Sequence, residues 1–357
     1  MSVVKQAAKA QPVDRVREVR EEVNKKMKET SLLFGSDPVL KLKAIPLGVT
    51  PLDDMLGGGL ARGRFYLVVG RYAVGKTYFT QLAIKAVQQQ GGVAAYIDAE
   101  RCYNEEWFRK VGIDTDNLLV SQPGTGEKAF DVVLALARAK VDLIVVDSLA
   151  AMVPTAEAEE GMDKIVVGGQ ARLINGGCRR LLDVNTHSVV LFTNQTRVAI
   201  GGQRLGAGET FPGGVGQLFW AWGIVRVTRE GWLTEKSPKK GEDQRRVGFN
   251  MGFRTDKNKQ APPFQSCAIP FYFRTGHLEL TAGLVDVAVD LSLISGKPPH
   301  YEFEDQKFFG RARLIAWLDE NEKVKTRLWA AVHEALEGTS ASGAAADGVD
   351  QTSSEVD

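Results

Sequence analysis

Residues Gly70 to Thr77 read GRYAVGKT, a glycine, four residues and then Gly-Lys-Thr, and the chemistry of that spacing is phosphate binding. Glycines let backbone N–H groups curl around phosphate oxygens, and the start of the following helix adds partial positive charge. Of the stretch Gly70, Arg71, Tyr72, Ala73, Val74, Gly75, Lys76 and Thr77, with Tyr78 just beyond, two side chains have distinct tasks. Lys76 would reach the β- and γ-phosphates of a bound nucleotide, and the Thr77 hydroxyl would ligate Mg2+. A second magnesium-side carboxylate should end a neighbouring strand; Asp147, closing LIVVD and followed by Ser148, is the candidate. A third group must orient and deprotonate an attacking water. Asp98 and Glu100, in YIDAE, both qualify, and their spacing from Lys76 does not choose between them.

These groups need a scaffold of strands ending side by side. RFYLVVG (64–70), GGVAAYIDAE (91–100), DLIVVDS (142–148) and SVVLFTNQ (188–195) read as strands, with TYFTQLAIKAVQQQ (77–90) and ARLINGGCRRLLDVN (171–185) as helices. Near-continuous β-branched runs alternating with helices predict an α/β fold, a mostly parallel sheet covered on both faces. WGIVRVTREGW, RRVGFNMGFRTD and SCAIPFYFRTG then predict an antiparallel extension. A smaller α/β lobe is expected over 283–337: helical DVAVDLSLIS, a hairpin YEFEDQKFFG, and helices RARLIAWLDEN and KVKTRLWAAVHEALEG. Ahead of the core (38–282), residues 1–37 carry Val13, Val16, Val19, Val23 and Met27 at helical spacing, a narrow apolar stripe. Between 193 and 214 the chain reads TNQTRVAIGGQRLGAGETFPGG, a glycine-rich loop of a length that is usually functional or disordered.

Composition is that of a soluble globular chain, with 44% hydrophobic and 25% charged residues. No apolar run approaches the roughly eighteen residues of a membrane span, and the N-terminus lacks a signal-peptide core. Three scattered cysteines (Cys102, Cys178, Cys267) suggest reduced thiols and a cytoplasmic setting. The tail, 338–357, is small, polar and acidic and is expected to be disordered; without its four acids the body is net positive, which permits a polyanionic partner.

Taken with AAYIDAE, NLLVSQPGTGEKA, LIVVDSLAAMVP, FTNQTR and KNKQAPPF, the phosphate loop makes the chain resemble a bacterial-type RecA recombinase over residues 45–337. That resemblance implies a RecA-like ATPase core, ATP and Mg2+, and Glu100 rather than Asp98 as the catalytic base. It implies that Trp107 stacks on adenine and Asn104 meets the base edge, and that Gln195 senses the γ-phosphate. Lys257 and Lys259 would reach into the ATP site of the adjacent subunit. Two DNA-binding loops are implied, at about 157–169 and 196–214, with Val167 and Ile200 as wedges between bases. Arg172, Arg179, Arg197, Arg204, Gly213 and Gly214 would meet the DNA, and Phe219 the next subunit.

The implied partners are single-stranded DNA, a homologous duplex, further copies in a helical filament, and a loader or single-strand-binding protein, with no membrane. The implied activity is DNA-dependent ATP hydrolysis with homologous pairing and strand exchange, in repair of DNA damage. A hexameric helicase on the same core is one alternative. Another is a nucleotide-switched filament that promotes repressor self-cleavage in an SOS response; a small-molecule P-loop enzyme would need an acceptor site the sequence does not display. Tyr78, Arg71, Tyr72 and the FPGG end of the second loop depart from the family's usual residues, which suits a divergent, virus-encoded member. Lys and Arg at 311, 313, 323, 325 and 327 offer a basic face to duplex DNA.

Overall fold

The computed structural model describes residues 12–28, 31–160, 168–198, 209–235 and 245–342, in two compact units, Met1–Lys43 and Ala44–Asp357. In the first unit the valine spacing forms helix α1 (Pro12–Met27). Asn24 ties its C-terminal end to Leu32 by two hydrogen bonds, and the Arg20 guanidinium stacks on Phe34 at 4.3 Å. Val16, Val19 and Met27 of the stripe are exposed.

The second unit is built on a nine-stranded sheet. Its strands are β1 (Phe65–Gly70), β2 (Ala94–Asp98), β3 (Leu118–Ser121), β4 (Leu143–Asp147), β5 (Val189–Gln195), β6 (Gly223–Glu235), β7 (Arg245–Asn258), β8 (Ser266–Tyr272) and β9 (His277–Leu278). They lie in the order β9-β8-β7-β6-β1-β5-β4-β2-β3. From β6 to β3 all pairings are parallel, and from β6 to β9 all are antiparallel, as the sequence pattern anticipates. Both faces are dry. Tyr66 and Val68 of β1 pack with Phe79 and Ala83 of helix α2 (Lys76–Gln89), while Phe65, Leu67 and Val69 join a second core on the opposite face. That alternation is the two-residue period of a strand with helices on either side.

Helix α3 (Glu105–Val111) follows β2. The second core is covered by helices α4 (Gly126–Arg138) and α5 (Gly169–Val184). These pack so closely that a Cβ on Gly177 would lie 2.4 Å from the Phe130 ring. The pattern reading does not mark β3 or α4. β3 is a four-residue edge strand with two exposed residues, and α4 starts directly after a Pro-Gly-Thr turn, which masks its onset.

A short helix α6 (Gly216–Trp220) leads into β6. The C-terminal lobe holds helices α7 (Leu280–Asp290), α8 (Arg311–Glu320) and α9 (Glu322–Ser342) and a three-stranded sheet over Ser295–Lys297, His300–Phe303 and Gln306–Phe309. Two expectations change here. The first helix begins at Leu280, where Thr281, Leu284 and Val285 are buried, and it ends before Ser292, which takes a φ of +60°. The last helix passes Gly338 and runs to Ser342, since an isolated glycine costs a helix only about 1 kcal/mol.

Candidate active site

β1, β4 and β5 end at one edge of the sheet, so the loops that follow them meet there. GRYAVGKT forms the β1–α2 turn. Gly75 has a φ of +105°, and a Cβ there would strike Met251 at 2.5 Å; at Gly70 it would meet the Val227 carbonyl oxygen at 2.4 Å. The loop is therefore closely packed from outside and requires these two glycines. Arg71, Tyr72 and Ala73 are exposed, whereas Val74 is buried. Lys76 Nζ donates to the Arg71 carbonyl at 2.8 Å. Burial pulls its pKa below the ordinary lysine range, opposed by the nearby charges of Asp147 and Glu100. An arriving phosphate would replace the Arg71 carbonyl as partner and favour the charged ammonium.

Asp147 is the hub. One carboxylate oxygen accepts from Thr77 Oγ1 at 2.8 Å and from the Tyr96 hydroxyl at 3.0 Å; the other accepts from Thr193 Oγ1 at 2.5 Å. A hydroxyl and a carboxylate side by side are the hard oxygen donors that suit Mg2+, which takes few protein ligands and relies on phosphate and water for the rest. The site residues thus fit that ion. Ser148 is buried and donates its hydroxyl to Glu100, and the backbone N–H of Glu100 donates to the Asp147 carbonyl at 3.1 Å.

The two acids of YIDAE differ sharply. Asp98 is fully buried and accepts from the backbone N–H of Cys102 and of Tyr103, each at 3.0 Å, and from Gln122 Nε2 at 2.8 Å. It fastens the turn after β2. Glu100 is exposed and accepts from Ser148.

Other expected site residues occupy varied places. Tyr78 is buried: its ring packs edge-on against Phe271 at 5.1 Å, and its hydroxyl accepts the Leu278 N–H. Its side chain belongs to the core, because an aromatic ring in the first turn of α2 fills the space against β8, and only its backbone remains near the loop. Asn104 caps α3, its side-chain oxygen accepting the Trp107 N–H at 2.9 Å. That occupies the oxygen and leaves the amide NH2. Trp107 is 37% exposed, flanked by Lys110 and Gly276.

Gln195 ends β5 directly opposite Gly70, and the next residue, Thr196, donates its N–H to the Gly70 carbonyl. The phosphate loop and the root of the glycine-rich loop are therefore hydrogen-bonded neighbours. Arg197 opens a two-residue strand whose partner is Thr210, so the entry and exit of that loop lie side by side. Val167, Ile200 and Arg204, and most of both expected DNA loops, lie outside the described residues. Arg172 and Arg179 are exposed on α5. Gly213 is buried, with Ile174 where a Cβ would go, so packing alone requires a glycine there; Gly214 is half-buried beside it. Phe219 is 71% exposed.

Lys257 donates to the carbonyls of Leu218 and Phe219, and the Lys259 ammonium lies 5.7 Å from the Trp222 ring. The expected basic face of the lobe narrows, since Arg311 pairs with Asp286, Lys325 with Asp319 and Glu322, and Arg327 with Glu304. No helix among the described residues is long and apolar enough to cross a membrane. The residues that sequence reasoning missed are Tyr96, Thr193 and Gln122. Each is a polar residue inside or beside an apolar strand, and only the sheet order shows that they share one cluster of carboxylates.

Comparison with known proteins agrees with this geometry. The family model described as the RecA N-terminal domain matches residues 15–277. The chain is 38% identical to Protein RecA of Prochlorococcus marinus (strain MIT 9215) over 314 residues, covering 87% of this chain and 84% of that one. It is 35% identical to Protein RecA of Acinetobacter baylyi (strain ATCC 33305 / BD413 / ADP1), covering 87% of each. A match of this extent, on a sheet that carries the phosphate loop where the motif requires it, means that the chain belongs to the RecA family of ATP-dependent recombinases of DNA recombination and repair.

Proposed function

We propose that the chain hydrolyses ATP at a site completed by two copies, within a helical filament on single-stranded DNA, and pairs that strand with a homologous duplex. The observation that carries this is the register of the sheet. Lys257 stands opposite Ile224, which is aligned with Leu67, below the Gly70 turn. Lys259 lies further along, beside Trp222, whose backbone N–H bonds the Phe65 carbonyl at the start of β1. The strand from Phe65 to Gly70 spans about 16 Å. Lys257 is thus level with the middle of β1 and Lys259 with its start, away from the Gly70 end, a placement that supports a role for both ammonium groups at a nucleotide on an adjacent copy.

In this reading Lys76 and the loop N–H groups hold the phosphates, and Glu100 takes a proton from the attacking water. Mg2+ at Thr77 and Asp147 would offset phosphate charge. Lys257 and Lys259 of a neighbouring copy neutralise charge on the transferred phosphoryl group. Gln195 links the γ-phosphate to the loop it anchors, so ATP and DNA binding form one linked equilibrium. The exposed Phe219 and the α1 stripe supply apolar contact between copies, in an open assembly.

The test is fluorescent strand exchange between a short single strand and a homologous duplex, with ATP and with a nonhydrolysable analogue. Product under both conditions is expected, because filament binding energy drives pairing. Product only with hydrolysable ATP would indicate a helicase-like motor. Lys259→Ala should lose DNA-stimulated hydrolysis while binding ATP normally, and full hydrolysis in that variant would defeat the shared site.

A further inference from the structure

Next to Thr193, which faces Asp147, the side chain of Asn194 points to the other face of β5 and meets Gln217 of α6. Both are fully buried. Asn194 Nδ2 donates to Gln217 Oε1 at 2.9 Å and to the Pro212 carbonyl at 3.0 Å, while Asn194 Oδ1 accepts the Gln195 N–H at 2.9 Å. Gln217 Nε2 donates to the carbonyls of Pro212 at 2.7 Å and Gly214 at 2.8 Å. Every N–H of both amides is thus used. One and two residues beyond Gln217, the helix hands its carbonyls at Leu218 and Phe219 to Lys257.

We infer that Gln217 is a positioning residue, which transmits the nucleotide-dependent position of the β5 end to the exit of the glycine-rich loop and to Lys257. An apolar pair would fill this space without desolvating two amides. A fully satisfied polar network instead links its members directionally, so that one cannot shift without the others. The network reaches the Gln195 N–H on one side, Pro212 and Gly214 at the loop exit, and the helix that holds Lys257 on the other. A displacement of the strand end by the γ-phosphate therefore moves the loop exit and the lysine together. This rests on the reading above, in which DNA engages the loop and Lys257 serves a neighbouring site.

The experiment measures, on the full chain, the affinity for a fluorescent single-stranded oligonucleotide with and without a nonhydrolysable ATP analogue, together with analogue affinity and the thermal midpoint. Gln217→Met keeps the length and removes every polar contact, and Asn194→Ala removes the partner from the strand side. Each variant should bind the analogue, and DNA alone, within about twofold of wild type, while the tightening of DNA binding by analogue falls about tenfold, within the usual range of coupling between sites. The double variant should be no worse than either single one, because both break the same link. Should Gln217→Met fail to fold, Asn194→Ala carries the same prediction. Full tightening in a folded variant would overturn the inference. So would an equal loss of DNA affinity with and without analogue, which marks a purely structural role. If wild type itself shows no tightening, the coupled-loop reading has failed and the inference with it.

Discussion

Changing each acid of YIDAE to its amide separates the packing role of Asp98 from the catalytic-base role proposed for Glu100. Glu100→Gln removes the only exposed carboxylate of the pair. A general base contributes roughly 10²- to 10⁴-fold, so the maximal rate should fall by about that factor, or about 3–5 kcal/mol of barrier. Stability should hardly change, because the side chain is exposed and an amide oxygen can still accept from Ser148. Asp98→Asn should do the reverse. Its carboxylate serves three donors within 3.0 Å in a fully buried position. An amide offers one oxygen and turns its NH2 toward at least one of those N–H groups. Losing one or two hydrogen bonds to a buried charge costs about 2–4 kcal/mol of stability. The assay is phosphate release at saturating ATP and single-stranded DNA, at a temperature where both variants are folded, alongside urea unfolding. The expected result crosses over: Glu100→Gln stable and inactive, Asp98→Asn destabilised with a rate within a few fold of wild type. A stable, inactive Asp98→Asn beside an active Glu100→Gln would refute the assignment.

Three further outcomes follow from the geometry. Tyr78→Phe removes only the hydroxyl that accepts the Leu278 N–H and leaves that buried donor unsatisfied, so calorimetry should show a loss of about 1–3 kcal/mol with ATP affinity unchanged. Phe219→Ala should leave unfolding nearly untouched, since the ring is exposed, yet raise the concentration for filament assembly on DNA about tenfold or more by light scattering, as a central aromatic contact would. Asp53 is buried, and desolvation raises its pKa to about 7 despite backbone hydrogen bonds from Leu47, Gly48 and Val49. The folded state then holds a proton that the unfolded chain releases near pH 4, so this group's contribution to stability, complete below that pH, is lost as pH rises to about 7. Urea midpoints should show Asp53→Asn gaining on wild type across that window; a constant difference would place the folded pKa at its ordinary value.

Much of the sheet was legible because β1, β2, β4 and β5 are continuous apolar runs, a pattern that only strands buried on both faces require. The phosphate loop was legible for a similar reason: backbone cradling demands glycines at set positions, so the chemistry is written in local spacing. β3 was not, because an edge strand with one face in water leaves no such run.

The choice between Asp98 and Glu100 shows where local spacing stops. On chemistry alone both are carboxylates two residues apart. What separates them is Gln122, distant in sequence, and the buried turn at Cys102 and Tyr103, which consume one acid and leave the other open. The Tyr78 side chain and Gly213 are packed in the core for the same kind of reason, since neighbours from β8, β9 and α5 fill the space around them. The sequence by itself determined the strands, the phosphate loop and the set of ionisable groups, because these depend on residues close along the chain. Only the tertiary structure decided which of those groups share a cluster and that Lys257 and Lys259 stand away from their own phosphate loop, because strand order and register are set by packing between distant segments.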